Sequence, residues 1–437
     1  TTDPRGSDVE QAALANGAIY QSWGPNAVTS FNAISPAEAI SKKARERGFM
    51  IDISTDEYDL EDVEKMADLA NVSIVFAFAD AGDGDVQVDG NYGDRKNLTL
   101  WANNVELINS VADRCYNTIV VINSPGPVDL EGFIGHENVV GVLWSAPLGQ
   151  YYGAAIADIL FGDYQPSGNL PFTIAKKTSD YVDIIDKVPS NGKPVDDLNR
   201  LLDYRYFDEM GITPRYAFGH GLTYSTFKLS SLSINEKKAP TIDLTKPLPY
   251  LDPYYFPSNP LTDPSEALFP FDEFKPLPGH IYPYLYNTNI YSTEQFNYPK
   301  GYDPDIDCDF ENDPTCDAPP ISGGGLGGNP DLYETLYKVK ASVENTGEME
   351  GYFTAQLYIE FPRGRKAPKN HVRQLRGIDK VFIKKGKSKK IKFEITRKDL
   401  SYWDVEDQTW VIYPGKYKIY IGSSSRKFDL FGEIEIS

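Results

Sequence analysis

Residues 72–79 read Val-Ser-Ile-Val-Phe-Ala-Phe-Ala, and residues 80–98 continue Asp-Ala-Gly-Asp-Gly-Asp-Val-Gln-Val-Asp-Gly-Asn-Tyr-Gly-Asp-Arg-Lys-Asn-Leu. The first run is short and almost wholly apolar, which predicts a buried strand. On its N-terminal side, residues 59–71 have helical spacing and open on Asp-Leu-Glu-Asp, acidic residues suited to a helix N-terminus. On its C-terminal side, 98–114 repeats the helical pattern, and 118–122 and 139–144 are two more apolar runs of strand length. Residues 152–160 are again helical, 48–53 read as a strand, and 170–173 read as extended. Strands alternating with helices predict an α/β domain with a mainly parallel sheet and helices on both faces. Ligands of such sheets collect beyond the carboxyl ends of the strands, so the loops after Ala79, Ile122 and Trp144 are the functional places.

The loop after the first of these runs crowds five aspartates among four glycines. Like charges this close repel, and a carboxyl whose pKa is raised in this way is what a general acid needs. The glycines allow close backbone approach to a ligand. Three readings stay open on physics alone: a solvated turn, a calcium loop, and an acid/base carboxylate for glycosyl transfer. The calcium reading fits poorly, because a loop starting at Asp85 has Gln87 and Lys96 where the third and twelfth ligands belong.

Farther along, residues 237–330 hold seventeen of the 31 prolines together with many Tyr and Phe. Such a segment cannot run regular helix or central strand, and its aromatics argue for an insertion packed over its neighbours. Gly323, Gly325 and Gly328 match a dinucleotide fingerprint in spacing, but no strand precedes them and no helix follows, so a nicotinamide site is rejected. From 332 to 437 the pattern is many short strands separated by turns such as Asn345-Thr346-Gly347, which predicts an all-β immunoglobulin-like sandwich. The domain boundaries are set at 1–232 (α/β), 233–330 (insertion) and 331–437 (sandwich).

The chain of 437 residues carries 43 Lys and Arg against 63 Asp and Glu, a net charge of −20. That balance opposes binding to nucleic acid or to an anionic membrane, and no apolar run is long enough to span a bilayer. Four histidines and three cysteines show no zinc spacing, so no metal is expected, and no cofactor either. Cys115 lies between a helix and a buried strand and reads as a core thiol. Cys308 and Cys316, eight apart in an acidic stretch, read as a local disulfide in an oxidising compartment or as two free thiols. Asn97-Leu-Thr and Asn71-Val-Ser are glycosylation acceptors, Asn71 the less accessible because it adjoins the strand. The sequence opens at Thr1 and not at Met, which we read as N-terminal processing or as one piece of a longer polypeptide.

Several long motifs carry a family resemblance. Residues 88–101 (Val-Asp-Gly-Asn-Tyr-Gly-Asp-Arg-Lys-Asn-Leu-Thr-Leu-Trp), the Pro147-Leu-Gly-Gln-Tyr-Tyr-Gly run, Pro166-Ser-Gly-Asn-Leu-Pro-Phe-Thr, Asp203-Tyr-Arg-Tyr-Phe-Asp and Tyr216-Ala-Phe-Gly-His-Gly-Leu-Thr-Tyr-Ser resemble fungal family 3 glycoside hydrolases, the β-glucosidases. Glu344-Asn-Thr-Gly, Gln374-Leu-Arg-Gly and Leu400-Ser-Tyr-Trp-Asp resemble that family's fibronectin type III domain. The resemblance implies a secreted, retaining exo-acting enzyme whose nucleophilic aspartate sits on an N-terminal (β/α)8 barrel that this sequence lacks. It makes that barrel the expected partner, a β-linked glycoside or oligosaccharide the expected substrate, and a homodimer of the complete enzyme a possible assembly. It places Asp83 at the acid/base position, where the family usually has glutamate, and Asp85 where an aromatic flanks the leaving group. Asn26, after Pro25, stands in a turn that reaches the non-reducing sugar. Aspartate is about 1.5 Å shorter than glutamate, and retaining enzymes need their two carboxyls about 5–5.5 Å apart, so these departures imply altered specificity, altered mechanism or lost activity.

Overall fold

The computed structural model describes residues 32–80, 95, 97–181, 201–237, 330–362, 373–404 and 409–436, with the backbone of short strands at 14–15, 18–19, 87–88 and 91–92. Contacts divide the chain into two compact units: residues 1–234, 339–393 and 416–435, and residues 235–338, 394–415 and 436–437.

In the first unit, strands β1 (Leu14–Ala15) and β2 (Ala18–Ile19) pair with each other. Helix α1 (Pro36–Arg47) follows, its N-terminus capped by Ser35, whose hydroxyl accepts from the Glu38 N–H, and its end set by Gly48 at φ 76°. Helix α2 (Leu60–Leu69) starts behind the Asp59 cap as the acidic run predicts. The parallel sheet has the order β3 (Ser73–Phe78), β6 (Thr118–Asn123), β7 (Val139–Ser145). Between β3 and β6 lie the hairpin of β4 (Gln87–Val88) with β5 (Asn91–Tyr92) and helix α3 (Asn104–Arg114). Helix α4 (Tyr152–Leu160) follows β7, and α5 (Tyr204–Glu209) lies farther on.

Strand alternation decides which helix covers which face. Val75, Ala77, Val120 and Ile122 point into one core with Val63 of α2 and Ile108 and Val111 of α3. Their neighbours Ile74, Phe76 and Val121 point the other way, against Ala39 and Ile40 of α1 and Tyr152, Ile156 and Ala157 of α4. Helices on both faces are therefore the direct result of unbroken apolar runs inside the two strands, residues 74–78 of β3 and 119–122 of β6. Cys115 is buried in the first core, a free thiol as expected.

One strand reading is corrected. Residues 48–53 form no strand; Phe49 is exposed and Met50 is 99% exposed, because no ladder partner lies beside them among the described residues. Residues 170–173 join a backbone pairing with 216–220 (Leu170 N to His220 O, 2.8 Å; Gly219 N to Leu170 O, 2.8 Å) and are not a sheet strand. The helix read over 98–114 begins only at Asn104, since Ala102 has φ 51° and Leu100 and Trp101 turn into the core.

The same unit holds most of an antiparallel sandwich. One sheet has the order β11 (Gln374–Ile383), β10 (Gly351–Glu360), β15 (Gly415–Ser424), β16 (Lys427–Ile436). The other has the order β12 (Ser388–Thr396), β9 (Thr335–Asn345), β8 (Phe227–Glu236). Its inner face is built from alternating buried residues such as Val339, Ala341 and Val343. Buried amides join it to the α/β part: Gln356 donates to the carbonyls of Gly219 and Ser423, both at 3.0 Å, and accepts from the Tyr358 hydroxyl at 2.7 Å. Asp208, its side chain 1% exposed, is ion-paired with Arg373 (3.3 Å) and Arg426 (2.7 Å). The second unit contains a short helix, α6 (Arg397–Leu400), with a Thr396–Asp399 capping box, and the β13 (Ser401–Asp404)–β14 (Thr409–Ile412) ladder. No helix among the described residues is long and apolar enough to cross a membrane.

Candidate active site

The acidic loop leaves the sheet where it was read to leave. The parallel ladder runs one residue past the strands, with Ala79 N donating to Asn123 O and Ser124 N to Ser145 O, both at 3.1 Å. Asp80 then turns off, only 2% exposed. The returning chain docks on the same point: Trp101 N donates to Phe78 O (2.9 Å), and the Asn104 side chain accepts from Phe78 N (2.9 Å). Both ends of the 81–100 excursion are therefore fixed at the carboxyl end of β3. Its outgoing half carries the β4–β5 ladder, with Gln87 opposite Tyr92 and Val88 opposite Asn91.

A second set of contacts ties the excursion to the next loop. Arg95 donates to the Pro127 carbonyl (2.8 Å), and its guanidinium lies 3.0 Å from where a side chain on Gly126 would begin. Asp129 N donates to Leu98 O at 2.6 Å. The loop after β6 is itself held by Ser124, whose hydroxyl accepts from the Trp144 indole (2.9 Å) and donates to Gly126 O (2.7 Å). Trp144 packs edge-on against Phe172 at 4.8 Å. Burial pushes the Tyr152 hydroxyl up to about 12, against hydrogen bonding from Ser145 and Asn123, so it stays protonated near neutral pH. Tyr181 is likewise raised by burial to about 12; its hydroxyl accepts from Ala175 N and donates to Thr173 O. Thr173 also meets Asp203, which accepts from its N–H (3.0 Å) and hydroxyl (2.7 Å) while held at φ 52°.

Of the residues read as functional, Asp83, Asp85, Asn26, Cys308 and Cys316 lie outside the described residues. Asn97 is exposed, and its side chain accepts from the Thr99 N–H (3.1 Å) and hydroxyl (2.7 Å). Asn71 is exposed as well, its carbonyl taken by Asn117. Among the described residues no three His, Cys, Asp or Glu side chains converge as a metal site. Sequence reasoning missed the supports: Arg95, Asn104, and the Ser124-Pro-Gly-Pro127 turn, whose proline and glycine signal was available.

A parallel α/β sheet with an acidic excursion at its carboxyl edge, joined to an antiparallel sandwich, defines a two-part architecture. Residues 8–224 match the Glycosyl hydrolase family 3 C-terminal domain, and residues 353–425 match a Fibronectin type III-like domain. The chain belongs to glycosyl hydrolase family 3, as its C-terminal part. It is 39% identical over 426 residues to Beta-glucosidase 2 of Saccharomycopsis fibuligera, covering 96% of this chain and 47% of that protein. It is 36% identical over 446 residues to Probable beta-glucosidase A of Aspergillus terreus, covering 99% and 50%. Among solved structures, Beta-D-glucoside glucohydrolase from Trichoderma reesei aligns with a TM-score of 0.73 at 30% identity over 95% of this chain and 47% of that one. The family 3 beta-glucosidase from Neurospora crassa aligns at 0.76, also at 30% identity, over 95% and 50%. The chain thus spans about half the length of the relatives it matches.

Proposed function

We propose that this chain is the C-terminal part of a retaining exo-β-glycosidase, acts on β-linked glucosides or oligosaccharides, and supplies the acid/base carboxylate from Asp83. One observation carries the reading: in a chain 39% identical to a beta-glucosidase, the acidic excursion leaves the carboxyl end of a parallel sheet strand. An aspartate on a (β/α)8 barrel, in the N-terminal half or on a second polypeptide, attacks the anomeric carbon and forms the glycosyl-enzyme. Asp83 gives its proton to the departing glycosidic oxygen, then takes a proton from the water that releases the sugar. Asp85 and Asn26 line the leaving-group and non-reducing ends of the sugar. By this reading the chain is inert without the barrel and needs no cofactor.

Secretion goes with the proposal, and with it a local disulfide between Cys308 and Cys316 as part of the same reading; the exposed Asn97 and Asn71 side chains suit N-glycosylation. A homodimer of the complete protein is part of the same reading. Domain limits at 232 and 330 belong to the same reading, although strand β8 (Phe227–Glu236) runs across the first of them.

The test is Asp83→Ala in the complete protein. Loss of the acid/base should lower turnover of unactivated glucosides by about 10²–10⁴-fold. Aryl glucosides with good leaving groups should be spared in the first step, and azide should speed release. Unchanged hydrolysis of unactivated glucosides sinks the assignment. A second reading, a non-catalytic sugar-binding relative, is favoured by aspartate at 83 and 85 and by Pro25-Asn26. Robust hydrolysis of an aryl β-glucoside by the complete protein rules it out, and a panel of aryl glycosides separates it from a shifted sugar specificity.

A further inference from the structure

Charge is unevenly spread over this chain. From Lys380 to Lys392 the sequence reads Lys-Val-Phe-Ile-Lys-Lys-Gly-Lys-Ser-Lys-Lys-Ile-Lys, seven lysines in thirteen residues and no acid, in a chain of net charge −20. This stretch leaves β11, turns at Gly386 (φ 65°) and enters β12, in the opposite sheet, so the turn lies at one end of the sandwich. Lys384, Lys385, Lys387, Lys389, Lys390 and Lys392 are all exposed. Along β12 the cations alternate with buried Ile391 and Phe393, so the pleat itself turns Lys390 and Lys392 outward. Among the described residues only Lys385 of these six has an acidic partner, Glu348. An ordinary solvated face mixes the two signs, whereas this one accepts self-repulsion.

An aromatic and apolar patch adjoins the cations. Tyr352, 46% exposed, stands opposite Phe382 in the β10–β11 ladder and packs edge-on to it at 5.2 Å. Lys380 lies over the Tyr352 ring at 5.3 Å, and Ile378, 61% exposed, continues the same face of β11 two residues away.

We infer that this turn and patch bind an anionic glycan, a sugar polymer bearing carboxylate or phosphodiester groups. Lysines are flexible point charges suited to widely spaced anions, while planar bidentate recognition calls for arginine. The exposed aromatic face offers stacking to the apolar side of a pyranose ring. A sparsely charged chain also fits the rest of the molecule. Repulsion from its acidic surface is screened beyond about 8–10 Å, whereas a duplex with about one charge per 1.7 Å presents far more charge to it. The surface holds the protein on an anionic matrix and stands independently of the hydrolytic reading.

The experiment is affinity electrophoresis and titration of the full chain with polygalacturonate (carboxylate), a phosphomannan (phosphodiester) and neutral dextran. Retention by one or both anionic glycans, lost at about 0.5 M salt and absent with dextran, supports the proposal, and the arm that binds identifies the anion. Replacing Lys384, Lys387, Lys389 and Lys390 together by Gln should weaken binding about tenfold or more, and replacing the same four by Arg should keep it. Tyr352→Ala should weaken binding several-fold without changing its salt dependence. All four lysines are exposed, so the variants should keep the parent's thermal transition. Unchanged binding by the Gln variant, equal retention by dextran, or tighter binding to duplex DNA or anionic lipid vesicles than to both glycans overturns it.

Discussion

Gly153 offers a test in which two simple arguments predict opposite signs. It lies in the first turn of α4, and alanine is a better helix former by up to about 1 kcal/mol. Its N–H donates to the Ile34 carbonyl at 3.0 Å, where α4 meets the entrance to α1. A methyl group there would lie 2.2 Å from the Ser35 carbonyl carbon, 2.3 Å from its oxygen and 2.5 Å from the Ile34 oxygen. These are backbone atoms and cannot rotate away. Overpacking of this kind costs roughly 1–3 kcal/mol. Displacing Ser35 also endangers its cap on Glu38, worth about 1 kcal/mol, and the Gly153–Ile34 bond, worth a similar amount. Set against the propensity gain, Gly153→Ala should lose about 2–4 kcal/mol. Urea unfolding should show a lower midpoint at unchanged slope. Gly135→Ala is the control, because nothing lies within 4 Å of its added carbon; its stability should stay within about 0.5 kcal/mol of the parent or rise. If Gly153→Ala is as stable as the parent, α1 and α4 do not approach as described.

Other outcomes follow from the polar clusters. Burial tends to raise the Glu360 carboxyl, but hydrogen bonds from Tyr420 (2.5 Å) and Lys418 (3.0 Å) prevail and hold it below the ordinary 4.5. A lowered carboxylate contributes stability that is present above its unfolded pKa and lost as pH falls through the folded value. Glu360→Gln should thus destabilise at pH 7 and flatten the acid limb of a stability–pH curve below about 4.5, measured by unfolding across pH. Asp203→Ala should cost about 2–3 kcal/mol by stranding Thr173, with Asp203→Asn recovering part of it, read from thermal transitions. Cys115 is 2% exposed, so it should resist alkylation in the native chain and react on unfolding, followed by intact mass.

The sheet and its helices were legible because β3 and β6 carry unbroken apolar runs at 74–78 and 119–122, a signal that survives without tertiary context. Helix α1 went unread although Ser35-Pro-Ala-Glu38 is a capping signature, and β16 went unread although Phe428, Leu430, Ile434 and Ile436 alternate. The strand read at 48–53 shows the converse: local β preference without a ladder partner does not make a strand. At the site, the exit and direction of the acidic loop could be read, but not its fastenings. Arg95 to Pro127 and Asn104 to Phe78 join residues 32 and 26 apart, and no local pattern encodes such pairs. The Gln356 and Asp208 networks span still longer separations.

The excursion that departs at Asp80 and returns to Phe78 at Trp101 has its two ends at one place. A segment with coincident ends is, to the sheet, a detachable cassette: exchanging its contents ahead of Arg95 leaves the strand register untouched, provided Leu100 and Trp101 keep their places in the first core. The entropy of closing such a loop grows only with the logarithm of its length, about 0.6 kcal/mol for each doubling. Descendants of this scaffold can thus try longer, shorter or differently charged versions at little thermodynamic risk. Arg95, bonded to the Pro127 carbonyl, is the clasp that a viable replacement must keep.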